Sequence, residues 1–343
     1  MAGTVAASRQ SLSRRLGSMA VMGTVGILSR AFLYALNRVE VVGLHNLLET
    51  LDRRRADRSR GLLTVCNHVA VLDDPLIWGI LPLRYTLDPE LLRWGLGAHD
   101  ICFRSKASST FFSLGQVLPT RRLWHSSFGG LYQPTMTQAI GLLSCPSPAG
   151  VAAAESCFST DGKDSFSAPA ADPAHRGAWV HVFPEACCHQ SPASTLRYFK
   201  WGVSRLILES EPAPEFMPMF IHGTQHVMPE ERGFPKFLPR IGNRIRIVIG
   251  EPTNVDDVFG QERALWRRLV ARGEPDLLTR GQDAIQLRIR VARLVRNEVG
   301  KLRESIGLPP EEDQTAALAE TWSKEPNKRK FKSPVDGSLV NRV

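Results

Sequence analysis

Leu62-Leu63-Thr64-Val65-Cys66-Asn67-His68-Val69-Ala70-Val71-Leu72-Asp73-Asp74-Pro75 contains an apolar run, a short loop and a helix start in one continuous stretch. Leu62 to Cys66 reads as a buried strand. Asp74-Pro75, followed by Leu76-Ile77-Trp78, reads as an N-cap with proline at the first helical position. His68 and Asp73 then share the connecting loop. Further along, Val117 to Thr120, Trp179 to Phe183, Phe216 to Ile221 and Arg244 to Ile249 read as strands, the second of these ending in Pro184-Glu185. Helical spacing is expected around Leu91 to Leu96, over Tyr132 to Leu143 and Tyr198 to Ser210, and from Gln286 to Ile306. Strands alternating with helices imply an α/β fold, a sheet covered by helices on its faces.

The 343 residues are enough for one large core with appendages. The net charge of +9 draws the chain toward anionic surfaces. It has neither zinc-finger spacing nor an RNA-recognition signature, so an anionic membrane surface is the expected partner and nucleic acid is not. Six cysteines without C-x-x-C pairing read as reduced thiols. Residues 1–37 carry no acid but do carry Arg9, Arg14, Arg15 and Arg30, the composition of a mitochondrial targeting segment. Within it Leu16 to Leu28 is apolar but broken by glycines, which favours a segment lying in or dipping into a membrane interface over a spanning helix. A catalytic domain over 38–310 follows. From 144 to 176 it is interrupted by Ala, Ser, Pro, Gly and Asp with few large apolar residues, read as an insertion outside the core. Residues 311–343, with Lys328-Arg329-Lys330, read as a disordered basic tail.

Ligands of open α/β sheets gather at strand ends. Three strand ends carry polar candidates: His68 with Asp73, Arg121 with Arg122, and Glu185 after Phe183-Pro184. A carboxylate that accepts one ring N–H of histidine leaves the other nitrogen free to take a proton from a hydroxyl. Guanidinium groups grip phosphate, and a carboxylate accepts hydrogen bonds from glycerol-type hydroxyls. Taken singly, the arginines also read as surface charge and Glu185 as a cap. His181, Glu185 and His189 have helical metal-ligand spacing, but Pro184 breaks the helix that would align them, so no metal is expected. No G-x-S-x-G elbow points to a serine hydrolase.

With these blocks read together, Asn67-His68 through Asp73-Asp74-Pro75, with Trp78-Gly79-Ile80-Leu81, resembles the first motif of the glycerolipid acyltransferases, specifically the tafazzin branch. Phe111-Phe112-Ser113-Leu114-Gly115 with Pro119 and Arg122, then Leu131-Tyr132-Gln133, resembles the second block. Trp179 to Glu185 resembles the third. Arg197 to Gly202 and Phe234 to Arg240 continue in family order. The third block departs from the pattern at Ala186, where the family carries glycine. A positive φ there would make alanine a liability.

The resemblance implies a single-domain mixed sheet covered by helices, with an amphipathic or apolar N-terminal membrane-associating segment. It also implies CoA-independent transfer of an acyl chain from a phospholipid to a lysophospholipid, with cardiolipin and monolysocardiolipin as characteristic lipids and no cofactor. In that reading His68 deprotonates the acceptor hydroxyl and Asp73 orients it, while Arg121, Arg122, Phe183, Pro184 and Glu185 serve the substrate. The implied location is a mitochondrial membrane facing the intermembrane space. An acyl-CoA-dependent lysophospholipid acyltransferase and a weakly active lipid-bound structural protein are the competing readings.

Overall fold

The structure, a computed structural model, describes residues 12–123, 126–145, 156–191, 193–311 and 314–319. Of the tail expected over 311–343, Glu311 and residues 314–319 are described and are not disordered: Glu311 pairs with Arg296, Gln314–Ala317 forms a 3-10 turn and Ala319 packs on Tyr198, while Lys328-Arg329-Lys330 lies outside the described residues. Helix α1 (Leu12–Leu36) leads into strand β1 (Arg38–Val42), α2 (Leu44–Ala56), β2 (Leu62–Cys66) and α3 (Asp73–Trp78). Then come α4 (Leu83–Thr86), β3 (Trp94–Ala98), α5 (His99–Cys102), α6 (Lys106–Leu114), β4 (Val117–Thr120) and α7 (Pro134–Leu143). A hairpin of β5 (Ser156–Phe158) and β6 (Ser165–Ser167) precedes β7 (Trp179–Val182), α8 (Gly202–Glu209), β8 (Glu215–His222) and α9 (Thr224–Val227). Strands β9 (Arg244–Ile249) and β10 (Thr253–Asn254) and helices α10 (Val255–Ala271), α11 (Pro275–Arg280) and α12 (Gln282–Ser305) complete the domain.

The main sheet runs β1-β9-β8-β2-β7-β3-β4, with β10 pairing on β8. Strands β8, β2, β7, β3 and β4 are mutually parallel, and β9 meets β8 antiparallel, so the sheet is mixed. The parallel group directs the loops after β2, β3, β4, β7 and β8 to one edge. Every residue of β2 is buried because helices cover both faces. Leu63 and Val65 face one core with Val180, Val182 and side chains of α7, α8, α10 and α12. Leu62 and Cys66 face the other, with α1, α2 and α3.

Three sequence expectations need correction. The helix expected around Leu91 to Leu96 is strand β3, because Gly95 and Gly97 are poor helix formers and β3 packs tightly on β4. A Cβ on Gly97 would come within 2.6 Å of Val117 Cγ1. Second, α1 is one unbroken helix of 25 residues. Its Met22, Gly23, Gly26, Ser29 and Leu33 are buried against the domain, so the glycines serve close packing and do not interrupt the helix. The close approach continues at Gly79 beyond α3, where an added Cβ would lie 2.8 Å from the Ser29 carbonyl carbon. Third, part of the 144–176 segment does enter the core: Ala170 is fully buried against α7, and the Ala170 amide donates to Gln138 Oε1 at 3.2 Å. None of the six cysteines is in a disulfide.

Candidate active site

Asn67 fixes where the first loop leaves the sheet. Its amide accepts the Ile221 N–H at 2.8 Å and donates to the Ile221 carbonyl at 3.0 Å, extending the tie between β2 and β8 by one residue. Helix α3 begins at Asp73 and not after Asp74, so Asp73 sits in its first turn with no solvent exposure. Its Oδ2 accepts the amides of Val69 at 2.6 Å and Ala70 at 2.8 Å and contacts His68 Nδ1 at 2.9 Å. Oδ1 accepts Thr224 Oγ1–H at 2.6 Å. Because a carboxylate only accepts, Nδ1 carries a proton in either charge state, and Nε2 presents a lone pair when the ring is neutral. The His68 side chain keeps 21% exposure, and the ring stacks on Phe183 with centroids 4.6 Å apart.

Burial disfavours the imidazolium of His68, but Cys188 and Asp73 more than offset it and hold the pKa well above its ordinary value. Its neighbour His181 shows the opposite outcome. Burial pushes that pKa down to about 3, with Nδ1 bonded to Thr64 Oγ1 at 2.7 Å. Between pH 6.5 and about 3 the unfolded chain binds a proton that folded His181 refuses. Folding stability contributed by this group is therefore full above 6.5 and falls as the pH drops, by about 1.4 kcal/mol for each unit of pKa difference. A His181→Gln variant is expected to flatten the acid side of a plot of urea midpoint against pH.

Glu185 requires a correction. Expected to meet substrate hydroxyls, it is 1% exposed and does not line the neighbouring cavity. One oxygen accepts the His68 amide at 2.9 Å and the other the Arg197 amide at 3.0 Å. Burial raises its pKa to about 7. The carboxylate braces the His68 loop against the Arg197 segment, a positioning task set by long-range packing.

Phe183, Pro184, Arg121 and Arg122 do share a cavity, of about 170 Å³, whose apolar wall includes Leu96, Leu131, Met136 and Val203. Both guanidinium groups already hold acids. Arg121 meets Asp161 at 3.0 Å and also Asp164, both from the β5–β6 hairpin, while Arg122 Nε meets Asp100 Oδ1 at 3.0 Å. The hairpin partners lie some 40 residues away in sequence, and no local signal announces them. Thr224, likewise, is joined to Asp73 across 151 residues.

Ala186 also lines this cavity and has φ +54°. The turn is held by the Ala186 amide on the Phe183 carbonyl at 3.0 Å and by the His189 amide on the His68 carbonyl at 2.7 Å. Left-handed backbone costs an alanine about 1–2 kcal/mol, and glycine gives back about 0.4–1 kcal/mol through the freer unfolded chain. Ala186→Gly is expected to gain about 0.5–1 kcal/mol in denaturant unfolding.

A model of the acyltransferase family matches residues 38–222, and the chain belongs to that family. It is an O-acyltransferase, and its place in the family is among the tafazzins. The tafazzin of Saccharomyces cerevisiae is 34% identical over 349 residues, covering 97% of this chain and 89% of the relative. The N-acylphosphatidylethanolamine synthase of Arabidopsis thaliana is 34% identical over 197 residues, 57% of this chain and 56% of that protein. Among solved structures, the 1-acyl-sn-glycerophosphate acyltransferase PlsC of Thermotoga maritima superposes with a TM-score of 0.42 at 16% identity, covering 80% of this chain and 85% of that one.

Proposed function

We propose that the chain is a CoA-independent phospholipid–lysophospholipid transacylase that remodels the acyl chains of cardiolipin and monolysocardiolipin in a mitochondrial membrane, on the side of the intermembrane space. The observation that carries the chemistry is the His68 Nδ1–Asp73 Oδ2 contact of 2.9 Å, which leaves Nε2 as the base. His68 takes the proton of the acceptor hydroxyl, and the oxygen attacks the donor ester. Asp73 compensates the charge that forms on the ring. The cavity beside Phe183 is below the about 300–1,000 Å³ of a typical small-molecule site, a size suited to part of one acyl chain. Substrate phosphate reaches Arg121 and Arg122 by replacing the Asp161, Asp164 and Asp100 carboxylates. Kinship with the tafazzins supports the choice of lipid and the independence from CoA.

The membrane-facing surface combines α1 with the loop after α9. Leu12, Leu16, Leu28 and Leu36 are exposed on α1, and Phe234 and Phe237 are 95% and 78% exposed. The Gly242 amide donates to the Leu36 carbonyl at 2.7 Å, tying the end of α1 to the segment after this loop. Arg232, Lys236 and Arg240 supply positive charge for anionic lipid. The ends of the chain follow the same reading: residues 1–37 target and attach it, residues 38–310 form the catalytic domain, and 311–343 are a basic tail.

Purified protein in liposomes holding a labelled diacyl phospholipid and a lysophospholipid tests the reading. Label moves to the lysophospholipid without CoA if it is correct. An absolute need for acyl-CoA makes the chain an acyl-CoA-dependent acyltransferase. Membrane binding with no transfer under either condition makes it a structural lipid-binding protein.

A further inference from the structure

His68 has a second neighbour, opposite Asp73. Cys188 Sγ lies 3.7 Å from Nε2, so thiol, imidazole and carboxylate stand in line: Cys188, His68, Asp73. A nucleophile within reach of a base that a third group orients is the arrangement of covalent acyl transfer. The contact is built by the fold. The His189 amide ties the residue after Cys188 to the His68 carbonyl at 2.7 Å. On the other side, Arg197 Nη1 donates to the Glu185 carbonyl and to Cys187 Sγ, both at 3.2 Å. The thiol occupies the edge of the ring from which an acceptor hydroxyl must give up its proton.

We propose that Cys188 carries the acyl group from donor to acceptor as a thioester. This rests on the transacylase reading and routes the transfer through sulfur in place of direct attack of the acceptor oxygen on the donor ester. In the first half, Nε2 takes the thiol proton and the sulfur attacks the ester carbonyl of the donor phospholipid. The carbon–oxygen bond breaks, the departing lysophospholipid oxygen receives the proton from His68, and Cys188 is left acylated. In the second half, the acceptor lysophospholipid gives its hydroxyl proton to Nε2 and attacks the thioester. The carbon–sulfur bond breaks and the proton returns to sulfur. Nothing is oxidised, and no other reactant enters.

Two properties of the site favour the two-step route. The cavity of about 170 Å³ lined by Phe183, Pro184 and Ala186 has room for part of one acyl chain, and a covalent carrier needs only one lipid at a time. A thioester is also the kind of activated acyl group that acyl-CoA supplies, so Cys188 provides it where CoA is absent. Once Nε2 has taken the thiol proton, the imidazolium lies between sulfur and carboxylate, and the raised pKa of His68 reflects how those two neighbours favour that charge. Forming a thioester from an oxygen ester is uphill, so the intermediate accumulates only when acceptor is withheld.

The test uses full-length protein with phosphatidylcholine vesicles carrying a labelled acyl chain, without CoA. Label is expected on the denatured protein, released by neutral hydroxylamine and mapped to the Cys188 peptide. Double-reciprocal lines for donor against lysophosphatidylcholine are expected to be parallel, and Cys188→Ala to lower exchange about 100-fold or more. Cys188→Ser, which keeps the side-chain volume, lowers it as well while holding the unfolding midpoint. Intersecting lines without label overturn the proposal, as does exchange by Cys188→Ala close to that of the unaltered protein. If the unaltered protein shows no CoA-free exchange, the transacylase reading itself fails. A defect in folding of the Ala variant leaves the label and the line pattern of the unaltered protein to decide.

Discussion

His68→Ala is expected to reduce acyl transfer in liposomes by about 10²–10⁴-fold, the usual worth of a positioned acid–base group. The fold survives the change because Asp73 retains the amides of Val69 and Ala70 and the hydroxyl of Thr224. The loss in stability is expected to be about 1–2 kcal/mol, that of one charge-assisted hydrogen bond. Vesicle binding stays unchanged, since the exposed apolar residues of α1 and of the Phe234 loop are distant in sequence and bear no contact to the ring. Transfer near the native rate would remove His68 from the chemistry.

Substitution at Asp73 separates charge from scaffolding. In Asp73→Asn the amide oxygen takes over the contacts to Val69, Ala70 and His68, and the new NH₂ donates to Thr224, whose hydroxyl turns to accept. Stability is expected to fall by only about 1–2 kcal/mol. Activity falls by about 10²-fold or more, because the imidazolium loses its counter-charge. Asp73→Ala leaves two backbone amides and a threonine hydroxyl without partners, and is expected to cost about 3–5 kcal/mol in urea unfolding. Equal losses of activity and stability in Asp73→Asn would make the carboxylate a scaffold residue and nothing more.

The dyad was legible because it is local. A histidine and an aspartate five positions apart, between an apolar strand and a helix start, meet by loop geometry alone. Strand β2 and helices α7 and α12 were legible from periodicity for the same reason. What escaped depends on distant parts of the chain. Thr224 reaches Asp73 from the start of α9, and Asp161 and Asp164 reach Arg121 from a segment whose composition reads as loop. Glu185 was correctly placed at a strand end, but the direction of its side chain was decided by two amides that no sequence pattern links to it. The backbone at Ala186 was legible only as a condition, and its φ of +54° meets that condition.

Arg30 of α1 lies 3.2–3.4 Å from three carbonyl oxygens, those of Gly79, Ile80 and Leu81, at the far end of the helix that begins with Asp73. Arg30 and the His68 loop thus hold the two ends of one short helix. A chain trimmed of its first helix to ease purification would lose a clamp on α3 as well as the proposed membrane anchor, so a low rate in such a fragment would report a slackened loop before it reported anything about substrate.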